Sequence, residues 1–561
     1  MKGLLIIVHV LCTYTIFAQI TFTSIPQDKQ LVGRDLVTNK GTVLFEGEVD
    51  SSLSPYDIIR VTTYRNGVHF DIVEQALDYI GQTATFSLSV EIKAELANYR
   101  FEVSGIEGTT ESLEKVIEDV VAGDAYLITG QSNAEAKMRS GSAAQEESEF
   151  IRVYASGIPI EANLVNNDNW YLGQGDGSRF SDGNTGQWGL SLARQIVDKH
   201  QVPVAIFNGA HGGKELSFFQ APMDYQTNLS SNYGRLFYRI KKAGLQENIR
   251  SVFWSQGERN ALPSIASTKE EYMGQFLSLK NAWYNDYPNI EHIYLFQTRN
   301  GCGRPIENVM RIKEAQRQLA FDDKRIHCIP TANLQQFSDN CHFDYEDGYQ
   351  EFGKRLFDLV DRDIYAADSN SDLEAPMIID AYLLDPLTLA VETNARTLML
   401  NGPISDFEIE NNSNTEITEV IVSENKIIIS LSNAIEEGAT ISYFAQEEGE
   451  EGTFIENDRG IELLCFHQYP IKTTISSNPK NAATRINTYP NPASTKMKIL
   501  GLEKMNGSVR IELQTLAGEI IVFDKESSST EIDVSSFSSG MYILRAYHEN
   551  GVSVQRVSIK R

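Results

Sequence analysis

Cysteine is scarce in this chain. Five occur in 561 residues, Cys12, Cys302, Cys328, Cys341 and Cys465, too few for a disulfide-dense scaffold. In an oxidising compartment a bridge among Cys302, Cys328 and Cys341 is open, and spacing alone does not choose the pair. No CxxC pair and no HExxH string occurs, so neither local metal signature is present. Basic residues are also few: 49 Lys and Arg against 76 Asp and Glu leave a formal net charge of -27, with a pI near 4.8. Phosphate backbones are held by concentrated Lys and Arg, so nucleic acid is excluded as a partner, and the acidic surface serves mainly solubility.

What is present begins with residues 1–18, which read as a secretory signal: Lys2, an apolar run through Leu4, Leu5, Ile6, Ile7, Val8, Val10 and Leu11, then Ile16, Phe17 and Ala18 before Gln19. The run is short for a membrane span, and Thr13 and Thr15 interrupt it, so export is favoured over anchoring and no transmembrane segment is expected in the mature chain. The length exceeds a single core and suggests roughly three or four domains. Apolar content of 41% and aromatic content of 10% exclude wholesale disorder.

Residues 19–115 carry short alternating runs such as TVLFEGEVD, TATFSLSVEI and ANYRFEVSG, with Asn66-Gly67 as a hairpin turn. Period-two alternation around an Asn-Gly corner predicts an antiparallel β-sandwich. Residues 116–366 change grammar. Apolar strand-length runs (AYLITG, VPVAIFNG, SVFWSQG, HIYLFQT, IHCIPTA) alternate with helical segments (WGLSLARQIVDKH, YGRLFYRIKKAGL, EEYMGQFLSLKNAWY, ENVMRIKEAQRQLAF). That pattern predicts an α/β domain with a parallel sheet covered on both faces. Residues 367–472 return to β patterning, and the acidic run at 447–452 reads as a solvated hairpin tip. A linker at 473–485, rich in Ser, Asn, Thr and Pro, leads to a small β-sandwich at 486–561.

The chemistry should gather beyond the carboxyl ends of the parallel strands. Ser132 follows the first run, Gly212 and Gly213 the second, Gln256 the third, and Asp339 and His342 the fifth. In the DxxH of Asp339 and His342 the carboxylate can take the Nδ1 proton of the imidazole, leaving Nε2 to accept a proton from a serine. Asp344 reads as the N-cap of a helix burying Phe352, Leu356 and Val360. The helix N-terminus would help keep His342 neutral. His211 is a rival base without an acid at short spacing. Three donors are assigned to the oxyanion hole: the N–H groups of Ser132 and Gly212, with Gly213 as fallback, and the Gln256 amide.

DAYLITGQSN, AHGGKEL, FWSQGERNA and the DxxH of DNCH, in that order over about Gly123 to Arg355, resemble the blocks of the SGNH hydrolase superfamily in its sialate O-acetylesterase-like carbohydrate esterase branch. The resemblance implies a flavodoxin-like α/β catalytic domain flanked by all-β sandwich domains. Carried over residue by residue, Ser132 is the nucleophile, His342 the base, Asp339 its orienter, and Gly212 and Gln256 oxyanion donors. Ser255 stands where that branch usually has an aromatic residue, and Arg259 follows Glu258 where a small polar residue is common; Ser255, Glu258 and Arg259 are therefore expected to line the substrate pocket. Tyr489-Pro490-Asn491-Pro492, Leu516-Ala517-Gly518-Glu519 and Ser539-Gly540-Met541-Tyr542 resemble the C-terminal sorting domain of type IX secretion. This implies the type IX machinery as a partner and a secreted or outer-membrane surface location.

The expected function is a secreted serine esterase removing O-acetyl groups from carbohydrate, sialic acid or plant-type polysaccharide, with no metal or organic cofactor. The alternative of another class is a catalytically inactive carbohydrate-binding or adhesion surface protein. A lipid or short-chain ester substrate ranks below these for want of an apolar lid, and a glycosidase ranks last because no two carboxylates can be paired across a site.

Overall fold

The chain divides into two compact units, Met1–Thr473 and Thr474–Arg561. The computed structural model describes residues 20–473 except 53–55, 157–163, 227, 368–371, 401, 403, 413 and 446–452, and residues 487–561 except 501–508, 516–519, 526–530 and 549–550. The expected signal segment 1–18, the acidic run 447–452, residues 474–485 of the expected linker and the motif Leu516 to Glu519 lie outside the described residues.

The first unit opens with β1 (Ile20–Ser24), β2 (Leu31–Asp35), β3 (Lys40–Asp50), β4 (Ile58–Arg65), β5 (Val68–Ala76), β6 (Thr83–Lys93), β7 (Tyr99–Glu107) and β8 (Thr110–Gly130). Strands β3 and β6 pair antiparallel along their whole length, and alternate residues of each are buried. Their inward set, Val43, Phe45, Phe86 and Val90, shares one core with Ile59 and Val61 of β4 and Phe101 and Val103 of β7. Asn66 and Gly67 take φ of 49° and 76°, as the tight β4–β5 hairpin requires.

Strand β8 joins two architectures. Up to Val120 it pairs antiparallel with β7, and from Val121 it runs parallel to β2. Its burial alternates at first and becomes continuous from Val120 to Gly130. The expected boundary at 115/116 thus falls inside one unbroken strand.

Beyond it come β9 (Ile151–Tyr154), β10 (Trp170–Leu172), β11 (Val204–Asn208), β12 (Ile249–Ser255), β13 (His292–Phe296) and β14 (Ile326–Ile329). With β8 they form the order β10-β9-β11-β8-β12-β13-β14, parallel except for β10. The whole sheet is therefore mixed. Helices α1 (Ser132–Glu135), α2 (Gln187–His200), α3 (Asn232–Lys242), α4 (Lys269–Asp286), α5 (Ile306–Asp322) and α6 (Gln350–Tyr365) complete the layer. Alternate residues of β8 feed opposite faces. Leu127 enters a core with Trp254, Phe276, Trp283 and Ile312, while Tyr126 and Ile128 enter one with Trp188, Leu192, Phe352, Leu356 and Val360.

The start of α6 differs from expectation. Asp344 makes no side-chain cap, and the chain first forms a wide turn over Tyr345–Tyr349 before the α-helix begins at Gln350. The Tyr349 N–H donates to the Asp344 carbonyl, closing the wider turn, and the Tyr345 N–H donates to the Ser140 carbonyl.

Residues 378–470 form three small antiparallel sheets around Ile378, Leu389, Val391, Ile429, Tyr443 and Phe466, a core that also takes in Met310 of α5. Gln297 seals this contact through reciprocal bonds with the Cys465 backbone, 3.0 Å to its carbonyl and 2.9 Å from its N–H. The second unit is a separate all-β body with two sheets and a core of Met497, Ile511, Leu513, Leu544 and Val557. No helix among the described residues is long and apolar enough to cross a membrane.

Candidate active site

Gly130 ends the central strand at φ 129°, and a Cβ there would fall 2.1 Å from the Ser255 carbonyl oxygen. Only glycine fits so close an approach of two strands. The turn delivers Ser132 to the carboxyl edge of the sheet. The Gln131 N–H donates to the Ser255 carbonyl at 2.9 Å, and its side-chain oxygen accepts from the N–H groups of Gly257 at 3.4 Å and Arg259 at 3.1 Å. Asn133 is the hub of the site. Its Nδ2 donates to Glu258 Oε1 at 2.7 Å and to the Cys341 carbonyl at 3.1 Å, its Oδ1 accepts from Tyr349 at 2.8 Å, and its carbonyl accepts from Trp188 Nε1 at 2.8 Å. One side chain thereby connects the first, third and fourth sequence blocks.

On the facing loop, His342 Nδ1 lies 2.6 Å from Asp339 Oδ2. The other carboxylate oxygen accepts the N–H groups of Cys341 at 3.0 Å and His342 at 2.9 Å. Burial would raise the Asp339 carboxyl, but the bonds from His342 prevail and hold it below the usual carboxylate range. With its Nδ1–H donated in a hydrogen bond to the Asp339 carboxylate, His342 presents the lone pair of Nε2. Cys341 is bonded to Cys302, which resolves the pairing that spacing left open; Cys328 and Cys465 are free and buried. The Cys302 N–H also donates to the Asn340 carbonyl at 2.7 Å. Gly301, at φ 137°, permits the approach, since a Cβ there would lie 2.3 Å from that same oxygen.

Ser132 and His342 line one cleft of about 460 Å³, together with Gln131, Glu135, Gly212, Gly213, Glu258 and Arg259. No hydrogen bond joins the Ser132 hydroxyl to His342: Arg139 Nη2 stands 3.3 Å from Nε2 instead. Gly212 lies beside the serine, a Cβ built on it being 3.6 Å from Ser132 Cβ. Its N–H, however, donates to Glu135 Oε2 at 3.2 Å. Glu135 is buried and ion-paired to Arg179 at 3.2 Å.

Two expected site residues do not reach the cleft. Gln256 is buried beneath it, its amide nitrogen bonded to Asn260 Oδ1 at 2.6 Å and the Lys214 carbonyl at 3.3 Å. Ser255 is the last residue of β12, buried, with its carbonyl spent on the Gln131 N–H. The reason is shared: the chain closes over β12 so that Glu258 and Arg259, not Ser255 and Gln256, turn to the opening. Glu258 is buried with Oε2 unpartnered among the described residues. Burial raises its carboxyl above the ordinary range, against the bonds from its own N–H and from Asn133. His211 is not part of the cleft lining; burial, then the charges of Arg179 and Lys214, push its imidazole down to about 4.

Residues 122–362 match the family described as carbohydrate esterase, sialic acid-specific acetylesterase. The α/β domain is similar to this family over that span. Residues 487–560 match the secretion system C-terminal sorting domain, so the chain carries a type IX address to the cell exterior or outer surface. A structure described as a novel carbohydrate acetylesterase from Xanthomonas citri is 16% identical with a TM-score of 0.57, covering 80% of this chain and 99% of that one; it shares the fold. An Arabidopsis thaliana protein is 17% identical over 42% of this chain and 96% of that one, with a TM-score of 0.33. No functionally curated protein matches the chain.

The cleft has a charge opposite to that of the chain as a whole. Lys137, Arg139, Arg179, Arg259 and Arg304 line it against Glu135 and Glu258. Arg179 is neutralised by Glu135, and Arg304 donates to the Glu258 carbonyl at 3.0 Å. None of these basic residues was singled out from the sequence except Arg259, because they sit in loops with no period to mark them. Gln131, Asn133 and Glu135 lay inside the GQSNAE block, and their adjacency to Ser132 was the available signal.

Proposed function

We propose that the chain is a secreted serine esterase that removes O-acetyl groups from carbohydrate through an acyl-enzyme. The carrying observation is that the His342–Asp339 pair, tied down by the Cys302–Cys341 bond, opens on the same cleft as a serine hydroxyl with no partner among the described residues. In this reading Ser132 Oγ attacks the acetyl carbonyl as its proton passes to His342 Nε2, and the protonated imidazole then returns the proton to the departing sugar oxygen. Water, deprotonated by the same Nε2, releases acetate. Arg139 must swing from Nε2 as the ester enters, a displacement compatible with the loose contacts of a substrate-free site.

The oxyanion donors of this proposal are the N–H groups of Ser132 and Gly213, neither of which has a main-chain or side-chain partner among the described residues, with Gly212 joining if Glu135 withdraws. The flavodoxin-like assignment draws support from strand order: with the short outer strands β9 and β10 set aside, β8, β11, β12, β13 and β14, numbered 1 to 5 along the chain, lie in the order 2-1-3-4-5. The same reading keeps a signal peptide at 1–18 and domains changing within β8, where its partner switches at Val120 and Val121, and near 366, 472 and 485.

Lys137, Arg139 and Arg259 line the cleft without an ion pair among the described residues. This favours a sugar bearing a carboxylate near its acetyl ester, as in sialic or uronic acid, over a neutral xylan. Acetate release from O-acetylated sialic acid, pectin and xylan is the test: the acidic sugars should react faster, and a preference for neutral xylan would reject the substrate assignment. The second reading, an inactive carbohydrate-binding surface protein, draws on Arg139 occupying Nε2 and Glu135 occupying the Gly212 N–H. It requires that no substrate in the panel release acetate.

A further inference from the structure

The amino ends of the parallel strands, opposite the cleft, hold a second cluster of chemistry-bearing groups. His292 opens β13, His327 lies at the start of β14, and Asp363 lies in the last turn of α6. One nitrogen from each imidazole and one carboxylate oxygen all lie within 4.8 Å of one another. His292 Nδ1 is 2.9 Å from His327 Nε2, which is 3.4 Å from Asp363 Oδ2. Donors placed 2.0–2.1 Å from a tetrahedral ion stand about 3.3 Å apart, so the His327–Asp363 separation already matches a metal shell, and the His292–His327 pair, now at hydrogen-bond distance, would open by a few tenths of an ångström.

A second layer is also built. Glu374 Oε1 lies 2.9 Å from His327 Nδ1, taking that proton and turning the Nε2 lone pair inward, as the carboxylate behind a metal-bound histidine does. Tyr294 stacks on His327 at 4.9 Å and donates to Asp363 Oδ2 at 3.0 Å. Arg362 donates to both Asp363 and Glu374, so two carboxylates are balanced by one guanidinium before any ion arrives. His327 is buried, while His292 and Asp363 are partly open and leave an approach.

We propose that His292, His327 and Asp363 bind one divalent transition-metal ion of borderline softness, zinc foremost. His292 offers Nδ1 by keeping its proton on Nε2. The ion displaces either Tyr294 or Arg362 from Asp363 Oδ2. It clamps the amino ends of β13 and β14 to α6 and, through Glu374, to the segment leading into residues 378–470. The site takes no part in ester cleavage.

The test uses full-length protein without a histidine tag, freed of metal by chelation and titrated with zinc chloride in a calorimeter. One zinc per chain with a micromolar or tighter Kd is expected, with a higher unfolding temperature and no comparable response to magnesium, which prefers all-oxygen shells. His292→Asn and His327→Asn should each weaken binding at least tenfold, while hydrolysis of 4-nitrophenyl acetate, which reports that the fold survives, stays at the wild-type rate. Absence of zinc binding at 100 µM, about a hundredfold above the micromolar expectation, would overturn the proposal. So would binding of equal strength in both variants.

Discussion

Ser132 carries the reaction in this account, and its loss should be felt in turnover rather than in folding. Ser132→Ala is expected to lower kcat/KM for 4-nitrophenyl acetate by about 10³-fold or more, roughly 4 kcal/mol of transition-state stabilisation, with the unfolding temperature unchanged. Arg259→Ala should leave that small neutral ester untouched and raise KM for an acetylated acidic sugar about tenfold, read from initial rates on both substrates. His211 sets a pH dependence of stability. It packs edge-on to Phe218 and feels Arg179, Lys214 and Arg235 against Glu135. Its native pKa of about 4 lies below the unfolded value, so between about pH 6.5 and pH 4 the unfolded chain binds a proton that the native state refuses. Stability should fall with pH across that window, and His211→Asn should flatten the fall in urea midpoints. Ser132, Asp339 and His342 were legible because each sits in a block whose local spacing has chemical meaning. Gln256 was misplaced because strand alternation ends at Ser255, and no period then says which of the next residues turns outward.

At the scale of elements, the cleft depends on two loops being pinned to each other. The Cys302–Cys341 bond closes a sequence separation of 39, which corresponds to about 4 kcal/mol in the chain-entropy model. Replacing both cysteines by alanine should lower stability by about 2–5 kcal/mol and reduce kcat more than it raises KM, because the loop carrying His342 loses its tether. Equal kinetics in the double variant would reject that role. Strand β8 shows what sequence patterning can and cannot tell. The change from alternating to continuous burial at Val120 is the change of grammar read as a boundary. It marks a change of neighbours, from one antiparallel partner to packed layers on both faces, while the strand itself continues. Strands β9 and β10 were not anticipated, being only 4 and 3 residues long, too short for periodicity to register. The histidine and aspartate cluster at the other end of the sheet escaped notice because its members come from three elements far apart in sequence.

At the scale of the whole molecule, the two units have separate cores, and the account gives them separate tasks. A chain ending at Thr473 should keep its esterase rate and unfolding temperature but fail to reach the cell exterior, as fractionation and acetate assays would report. An acidic chain with a basic cleft should also bind an anionic substrate more weakly as salt rises, the exposed charges being screened over about 8–10 Å. These expectations rest on one event, attack by Ser132 Oγ on an electrophilic centre. Its most direct measurement is the intact mass of the protein after exposure to a fluorophosphonate, which traps an activated serine. One adduct located on Ser132 and absent from Ser132→Ala is the predicted result. An unmodified wild-type mass, or an adduct that survives the substitution, would contradict the account.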